Sequence, residues 1–517
     1  MKYMKLGNLP DALYTEEHVG ATHQSCRSCR TVFTTDVAPD LDLQIDNVRY
    51  HLHKFPVILK CGLLQRRICS GSGNCDSACE SIEGIISLDE IPGGQNGFEI
   101  CAKFCYGISV KISPLNFVPA ICAARFLRMT ESVAKGNLVT KLECFFDTCI
   151  LQGWKDSIVV LQETRKVGDS WSEKLVIANR CIDAILRKIR THTSQVTWSY
   201  TYTRPGSDRK LVSKDWWTED VADLNLEHFS SIISSLRSSS HKILPPLIGE
   251  ALHVYTCKHL LDPSADVFRS FIHEGLDTEE SITKQRCILE SIVSMIPSER
   301  GSVSGRFFIR LVIIANFVGA SPSTRAELIR RAGRQLHEVN ARDLLFASPS
   351  NPESYDIDMV EEVLEIFLVQ FRRLPKTMDE EDEEAKEQVA ATKMLASMIK
   401  VGKTIDSYLQ IISHKPDIPV TRIVQLAKSL PELARPEHDQ LYRTIDTYLK
   451  NHPNLSKPEK KQLCQMIDAR KLSHDVCLHI AGNDQLPLRT IVQVLFVELE
   501  KAGSNCNHPM PSSLPKP

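Results

Sequence analysis

Apolar and polar residues alternate over a short stretch near the start of the chain. Apolar side chains occupy every second position of 41–45 and again of 48–50, on either side of Asp46-Asn47. A period of two that flanks two turn-forming residues predicts a β-hairpin. Residues 85–88 predict one further short strand. Helical spacing predicts helices near the hairpin at 57–63, 97–106, 115–129 and 138–151.

The apolar period changes to that of amphipathic helices in the rest of the chain. Apolar residues recur there three and four positions apart, which places them on one face of a helix. The predicted helices cover 175–189, 226–236, 306–316, 325–336, 359–371, 395–412, 420–430 and several short segments of 441–498.

The last of these segments carries the clearest helix signals. Ser456–Glu459 is a capping box with proline in the first turn, where the missing N–H costs nothing. Leu486-Pro487 opens a further helix. Its apolar residues lie on one face and predict partner helices that cover them: Leu488, Ile491, Val492, Leu495 and Phe496.

Several sequence blocks resemble one plant family and occur in the family's order. The blocks are Leu52–Pro56, Asp215–Asp220, Ser354–Asp358, Leu463–Asp468 and Leu486–Arg489. They resemble the non-phototropic-hypocotyl and root-phototropism family of BTB/POZ proteins. The opening residues also resemble the auxin-related naked-pins subgroup.

This resemblance implies an α+β BTB/POZ domain at the N-terminus followed by a large all-α helical domain. Strands first and helices afterwards are in keeping with that order. The expected organisation is a flexible segment at 1–30, the BTB/POZ domain at 31–132, a helical connector at 133–190, a linker at 191–212, the helical family domain at 213–500 and a disordered tail at 501–517.

Composition and charge exclude some classes of protein. With 62 basic and 64 acidic residues the formal charge is −2, which argues against a broad nucleic-acid-binding surface. The sequence contains no apolar run of membrane-spanning length and no signal-peptide pattern. We therefore expect a cytoplasmic protein whose seventeen cysteines are reduced.

The sequence carries no complete catalytic or metal-binding motif. It contains neither a phosphate-binding loop nor an HExxH zinc helix. The CxxC pair Cys26 and Cys29 would need two more ligands, for which Cys75 and Cys79 are candidates. His51 and His53 lie on one strand face, and hydrogen bonding is favoured over metal binding. No catalytic residue, metal or cofactor is assigned.

Two aromatic sites allow a structural and a functional interpretation. Trp216-Trp217 could stack on a ligand, but large rings mostly supply buried area, and packing is favoured. Tyr442 lies where the resembled family has a suggested phosphorylation site. A packed helical tyrosine is the favoured alternative.

The resemblance also implies a binding function. Related BTB modules recruit a cullin-3 scaffold through a hydrophobic-x-acidic element, and Leu88 and Glu90 occupy the corresponding place. In this hypothesis an exposed Leu88 fills a groove of the partner while Glu90 forms a polar contact at its rim. In the alternative, Leu88 closes the core and Glu90 precedes a turn.

Three functions follow as alternatives. The favoured one is a non-catalytic substrate adaptor of a cullin-3 RING ubiquitin ligase, in which the BTB domain binds the cullin and the helical domain binds a protein substrate. The second is a scaffold, peripheral at the plasma membrane, for photoreceptor or other protein kinases or for auxin-carrier polarity. The third is an undetected enzyme. The BTB resemblance also implies a homodimer.

Overall fold

The computed structural model describes residues 2–9, 14–17, 28–32, 37–70, 85–88, 90–167, 172–191, 215–238, 244–261, 278–346, 355–372 and 384–505. Packing divides the chain into two compact units, Met1–Lys258 and His259–Pro517. The first unit therefore ends well after the domain boundary predicted at residue 213. Residues 192–212 of the predicted linker and 506–517 of the predicted tail lie outside the described residues.

The described strands belong to two sheets of the first unit. One sheet has five strands in the order β2-β3-β5-β4-β6, and the other pairs β1 with β7. The strands are β1 (Met4–Leu6), β2 (Tyr14–Glu17), β3 (Ser28–Val32), β4 (Leu41–Ile45), β5 (Val48–Leu52), β6 (Ile86–Ser87) and β7 (Val110–Ile112).

The predicted hairpin is confirmed. Strands β4 and β5 are antiparallel, and Ile45 pairs with Val48 across a two-residue turn. Asp46 has a φ of 49°, a left-handed conformation that Asp and Asn tolerate better than most residues. Leu43 and Tyr50 are fully buried, so the alternation read from the sequence sets the core-facing side of the sheet.

The first 30 residues were expected to be flexible, and this expectation is wrong for Met4–Leu6. That strand pairs with β7, with Met4 opposite Ile112 and Leu6 opposite Val110. Gly7 follows with a φ of +76°, and a Cβ there would lie 2.2 Å from the carbonyl oxygen of Ile108. Three residues are too few to show a period, so this pairing left no pattern in the sequence.

Helices account for most of the other described residues of the first unit. They are α1 (Lys54–Ile58), α2 (Gly62–Ser70), α3 (Gly94–Cys105), α4 (Pro114–Phe126), α5 (Leu138–Phe145), α6 (Trp154–Glu163), α7 (Ser172–Arg190), α8 (Thr218–Val221), α9 (Leu226–Ser238) and α10 (Pro245–His259). The helix predicted at 138–151 begins as expected. It widens to a π-helical turn at Phe146–Ile150 and ends before Gly153, the N-cap of α6.

The connector helix α6 packs against the sequence block that begins at Asp215. The Trp154 indole N–H donates to Asp220 Oδ2 at 2.7 Å, and the Trp154 and Trp216 rings meet edge to face with centroids 4.5 Å apart. Trp217 is 1% exposed. The packing interpretation of Trp216-Trp217 is thus confirmed, and the pair is not available to stack on a ligand.

The second unit is helical in its described part, as predicted. Its helices are α11 (Thr278–Met295), α12 (Gly305–Phe317), α13 (Pro322–Arg334), α14 (Ile357–Arg372), α15 (Glu384–Ile412), α16 (Val420–Ser429), α17 (Asp439–Asn451), α18 (Lys457–Cys464), α19 (His474–Ala481) and α20 (Leu488–Asn505). The Ser456–Glu459 capping box forms at the start of α18. Ser473 caps α19 by accepting a hydrogen bond from Val476 N.

The apolar stripe of α20 differs from the expectation. We predicted that partner helices would cover it, but Leu488 is 76%, Val492 56% and Phe496 60% exposed. Val494, on the opposite side of the helix, is the buried residue at 2% exposure. Amphipathic spacing identifies the apolar face of a helix, but it does not show whether another helix of the same chain covers that face. None of the described helices is both long enough and apolar enough to cross a bilayer.

Candidate partner-binding groove

Leu88 is a core residue, and its predicted role as an exposed anchor is wrong. Strand β6 runs parallel to β4, and the ladder continues one residue further because Leu88 N donates to the Gln44 carbonyl at 2.8 Å. Side chains alternate along a strand, so Leu88 points to the buried side while Ser87 faces solvent. Leu88 is 2% exposed. The alternative, in which Leu88 closes the core, is therefore the correct one.

Glu90 occupies a different position, at the rim of an open groove. Ile91 N donates to the Leu88 carbonyl at 3.1 Å, and this tight turn leaves Glu90 exposed. The groove has a volume of about 1020 Å³ and runs past Glu90 between α3, β7 and the start of α4. Asp89, the middle residue of the predicted element, lies outside the described residues.

A close approach of two helices shapes this groove, which we call the Glu90 groove. Gly93 precedes α3 with a φ of +83°, and a Cβ there would lie 2.7 Å from Pro119 Cα on α4. A side chain at this position would push the two helices apart or unwind the turn. The glycine thus holds the Ile91–Gly94 turn, and Glu90 with it, against α4.

The walls of the Glu90 groove combine charge with a small apolar surface. Glu90 and Lys111 supply opposite charges to the lining, and Leu115, at the start of α4, is 53% exposed. Glu99 lines the groove and accepts a hydrogen bond from the Tyr50 hydroxyl at 3.1 Å. An exposed leucine flanked by both signs of charge suits a protein partner that brings an apolar side chain and its own charges.

The helical connector contributes to the same groove, which sequence reasoning missed. Glu163 lines it from the end of α6, and Lys166 and Val167 line it from the residues that follow. Lys166 Nζ lies 2.8 Å from Glu163 Oε1. The groove therefore joins the predicted BTB domain to the predicted connector. Residues more than 60 positions apart come together only in the fold, so no local pattern could reveal this.

Tyr442 is an interior residue, as the favoured alternative held. It is 2% exposed; its Oη lies 2.6 Å from His479 Nδ1 and accepts a hydrogen bond from Asn483 Nδ2 at 3.1 Å. Burial raises the pKa of its phenol above the usual value. A kinase could reach this hydroxyl only after α17 and α19 had separated locally.

The histidines near the hairpin form hydrogen bonds. His53 Nε2 lies 2.9 Å from the Val37 carbonyl and its backbone N–H donates to the Tyr106 hydroxyl at 2.7 Å, while His51 Nδ1 lies 2.6 Å from Asp42 Oδ1. Among the described residues no group of three or more metal-ligating side chains comes together. Cys26, Cys75 and Cys79 lie outside the described residues, as does the side chain of Cys29.

Comparison with known proteins identifies the family. The family model described as NPH3 family matches residues 215–477. A BTB/POZ domain-containing protein of Arabidopsis thaliana is 44% identical over 515 residues, which cover 98% of this chain and 86% of that protein. The chain belongs to the NPH3 family.

Two further relatives agree with this membership. The phototropic-responsive NPH3 family protein NPY2 of Arabidopsis thaliana is 35% identical, over 99% of this chain and 78% of that protein. Root phototropism protein 3 of the same organism is 30% identical, over 91% of this chain and 75% of that protein. The family resemblance and the fold class, a BTB-like α+β region followed by a largely helical NPH3 domain, are both confirmed.

The NPH3 match and the compact units have different boundaries. The match begins at Asp215, where the Trp216 ring contacts Trp154 of the connector, and it continues past the end of the first unit at Lys258. The first helices of the NPH3 region are therefore part of the same compact unit as the BTB-like region. Their family block, Asp215–Asp220, includes the residues that make this contact.

Proposed function

We propose that this NPH3-family protein is a non-catalytic substrate adaptor of a cullin-3 RING ubiquitin ligase in plant phototropic or auxin signalling. Its BTB-like region would bind the cullin and its helical NPH3 region a protein substrate. The observation that carries the proposal is the Glu90 groove, a large open groove of mixed character on a BTB-type region. As an adaptor, the protein would act in the cytoplasm.

The Glu90 groove supports cullin binding in a revised form. Because Leu88 is interior, this proposal assigns the apolar contact with the cullin to Leu115, which is exposed at the groove. A partner side chain packed on Leu115 would be flanked by Glu90 and Lys111, which fix orientation through charge. The partner element would thus enter the groove of the adaptor, whereas the sequence hypothesis had a leucine of the adaptor enter the partner.

Charge and shape changes in the groove are expected to weaken cullin binding. Glu90→Lys and Leu115→Glu should each lower the affinity for a purified cullin-3 N-terminal region at least about tenfold, because central interface residues contribute about 2 kcal/mol or more. The measurement is co-precipitation followed by titration with full-length adaptor. Both positions are exposed, so unfolding temperatures should stay near that of the parent.

Matched variants elsewhere on the first unit serve as controls. Glu250→Lys makes the same charge change at an exposed site on α10, and Leu244→Glu makes the same substitution at a leucine that is 57% exposed. Neither residue lines the groove, and neither change should alter binding. Undiminished binding by the groove variants would show that the Glu90 groove is not the cullin-binding site. A parent protein that binds no cullin would contradict the adaptor role.

The protein is also a homodimer in this proposal, and α1 supplies the supporting surface. Phe55 on α1 is 74% exposed, and Leu59, the C-cap residue of α1, is 52% exposed. The two residues are four positions apart and so share one face. Phe55→Glu is expected to shift the mass measured by light scattering from two chains to one, because a buried unpaired carboxylate opposes association. Phe55→Leu should remain dimeric. A monomeric parent would contradict the homodimer.

A further inference from the structure

The second unit contains a cavity of about 500 Å³ in which cationic side chains converge. Arg300 and His337 reach it from the segments that precede α12 and follow α13, and Lys393 reaches it from α15. Gln370 and Ser397 add polar groups, and Phe367 adds an apolar wall. The cavity thus combines two permanent positive charges, a titratable histidine and hydrogen-bonding groups.

The positive charges of this cavity lack counterions among the described residues. Arg300 Nη2 donates to a neutral acceptor, the Arg334 carbonyl, at 2.9 Å. Neither Arg300 nor Lys393 forms an ion pair with another described side chain. The Glu338 carboxylate lies beside the histidine, with its Oε1 3.9 Å from His337 Nε2, and its Oε2 already accepts a hydrogen bond from Gly305 N at 2.7 Å.

Neighbouring cations extend this positive potential. The pKa of His337 is lowered, first by burial and then by the charges of Arg300 and Lys400, against the opposing effect of Glu338. The pKa of the Arg334 guanidinium is lowered by desolvation and by nearby arginines that include Arg300. His337 Nδ1 is buried without a hydrogen-bond partner among the described residues. A bound anion would relieve this repulsion.

We infer that this cavity binds a phosphorylated serine or threonine side chain of a protein partner, with Arg300 and Lys393 contacting the phosphate. Arginine offers a planar pair of N–H donors that matches phosphate oxygens, and lysine adds a compact charge. The cations line a concavity of limited size, whereas an anionic membrane surface would require a broad exposed face.

This inference rests on the proposed function in one respect, because it takes the phosphorylated partner to be the adaptor's substrate. It gives that substrate a recognisable chemistry. Phosphorylation by a kinase would create the dianionic group that the cavity recognises, and the unmodified protein would bind weakly. Substrate capture would then depend on prior phosphorylation.

The test uses the full chain and two fluorescein-labelled peptide libraries that are degenerate except at a central phosphoserine or serine. Anisotropy is measured in about 150 mM NaCl, where the screening length is about 8 Å. We expect the phosphoserine library to bind at least about tenfold more tightly than the serine library. Arg300→Ala/Lys393→Ala should remove this difference, and inorganic phosphate should compete with the phosphoserine library.

The control is Lys457→Ala/Arg470→Ala, which removes the same two charges from exposed sites outside the cavity and should preserve the difference. Lys393→Glu changes one exposed helical residue and provides a second test should the loss of the Arg300 contact impair folding. Equal binding of the two libraries, or equal losses in cavity and control variants, would overturn the inference.

Vesicles that contain a phosphatidylinositol phosphate form a further arm. Vesicle binding that requires Arg300 and Lys393, with no preference between the peptide libraries, would overturn the inference in favour of a lipid headgroup. Cullin co-precipitation is measured on the same variants and should be unchanged by Arg300→Ala/Lys393→Ala. If the parent binds phosphoserine peptides but no cullin, the adaptor role fails and the phosphate site stands.

Discussion

Replacing Arg435 with methionine is expected to destabilise the second unit by about 3–5 kcal/mol, because the change leaves a buried carboxylate without its partner. Arg435 Nε and Nη2 donate to Asp406 Oδ1 at 2.9 and 2.7 Å, and the side chains are 8% and 4% exposed. Gly402 allows this contact, since a Cβ there would lie 2.3 Å from the Ala434 carbonyl oxygen. The pair joins α15 to the segment before α17.

The position of the tryptophans allows each unit to be observed separately. All five tryptophans lie at or before residue 217, within the first unit. In urea titrations, tryptophan fluorescence therefore reports the first unit, and the circular dichroism of helices reports both. Arg435→Met should move part of the dichroism transition to lower urea and leave the fluorescence transition in place.

Two further variants distinguish the effect of a buried unpaired charge on stability from the effect of losing an ion pair of any kind. Arg422, which bonds to Asp358 and lies 3.5 Å from Glu361, faces more exposed carboxylates, and Arg422→Met should cost about 1 kcal/mol or less. Adding Asp406→Leu to Arg435→Met should recover most of the lost stability, because the unpaired charge is gone. A double variant as unstable as the single one would mean that lost packing is the cause.

Local patterns in the sequence were sufficient to predict the elements that are held by contacts between residues close together in the chain. The β4–β5 hairpin follows from a period of two around Asp46-Asn47, and the start of α18 follows from the Ser456–Glu459 capping box. The fold class came from family blocks such as Asp215–Asp220. Hydrogen bonds between near neighbours define these features, so the residues that form them are adjacent in the sequence.

The candidate site could not be predicted in the same way, because pairing between distant segments determines it. The burial of Leu88 follows from its backbone bond to Gln44, and the groove beside Glu90 depends on Glu163 and Lys166 of the connector. The pairing of Met4–Leu6 with β7 is likewise nonlocal. A hydrophobic-x-acidic pattern gives the residue types but not the side of the sheet that each one faces.

The second large effect is expected at Leu88. Leu88→Ala should destabilise the first unit by about 2–5 kcal/mol, because it removes buried methyl groups and leaves a cavity. Leu115→Ala makes the same change at a leucine that is 53% exposed, and should cost about 0.5 kcal/mol or less. The fluorescence transition in urea measures both values, and the part of the dichroism transition that belongs to the second unit should not move.

Cullin binding should respond to the two substitutions in the opposite order. At a temperature low enough for Leu88→Ala to stay folded, its affinity for the cullin should match that of the parent, because Leu88 does not reach the surface. Leu115→Ala should stay stable and bind several-fold more weakly, since it removes an exposed apolar contact from the groove. If folded Leu88→Ala lost binding while Leu115→Ala kept it, Leu88 would be the anchor that the sequence suggested. The Glu90 groove would then not be the cullin site.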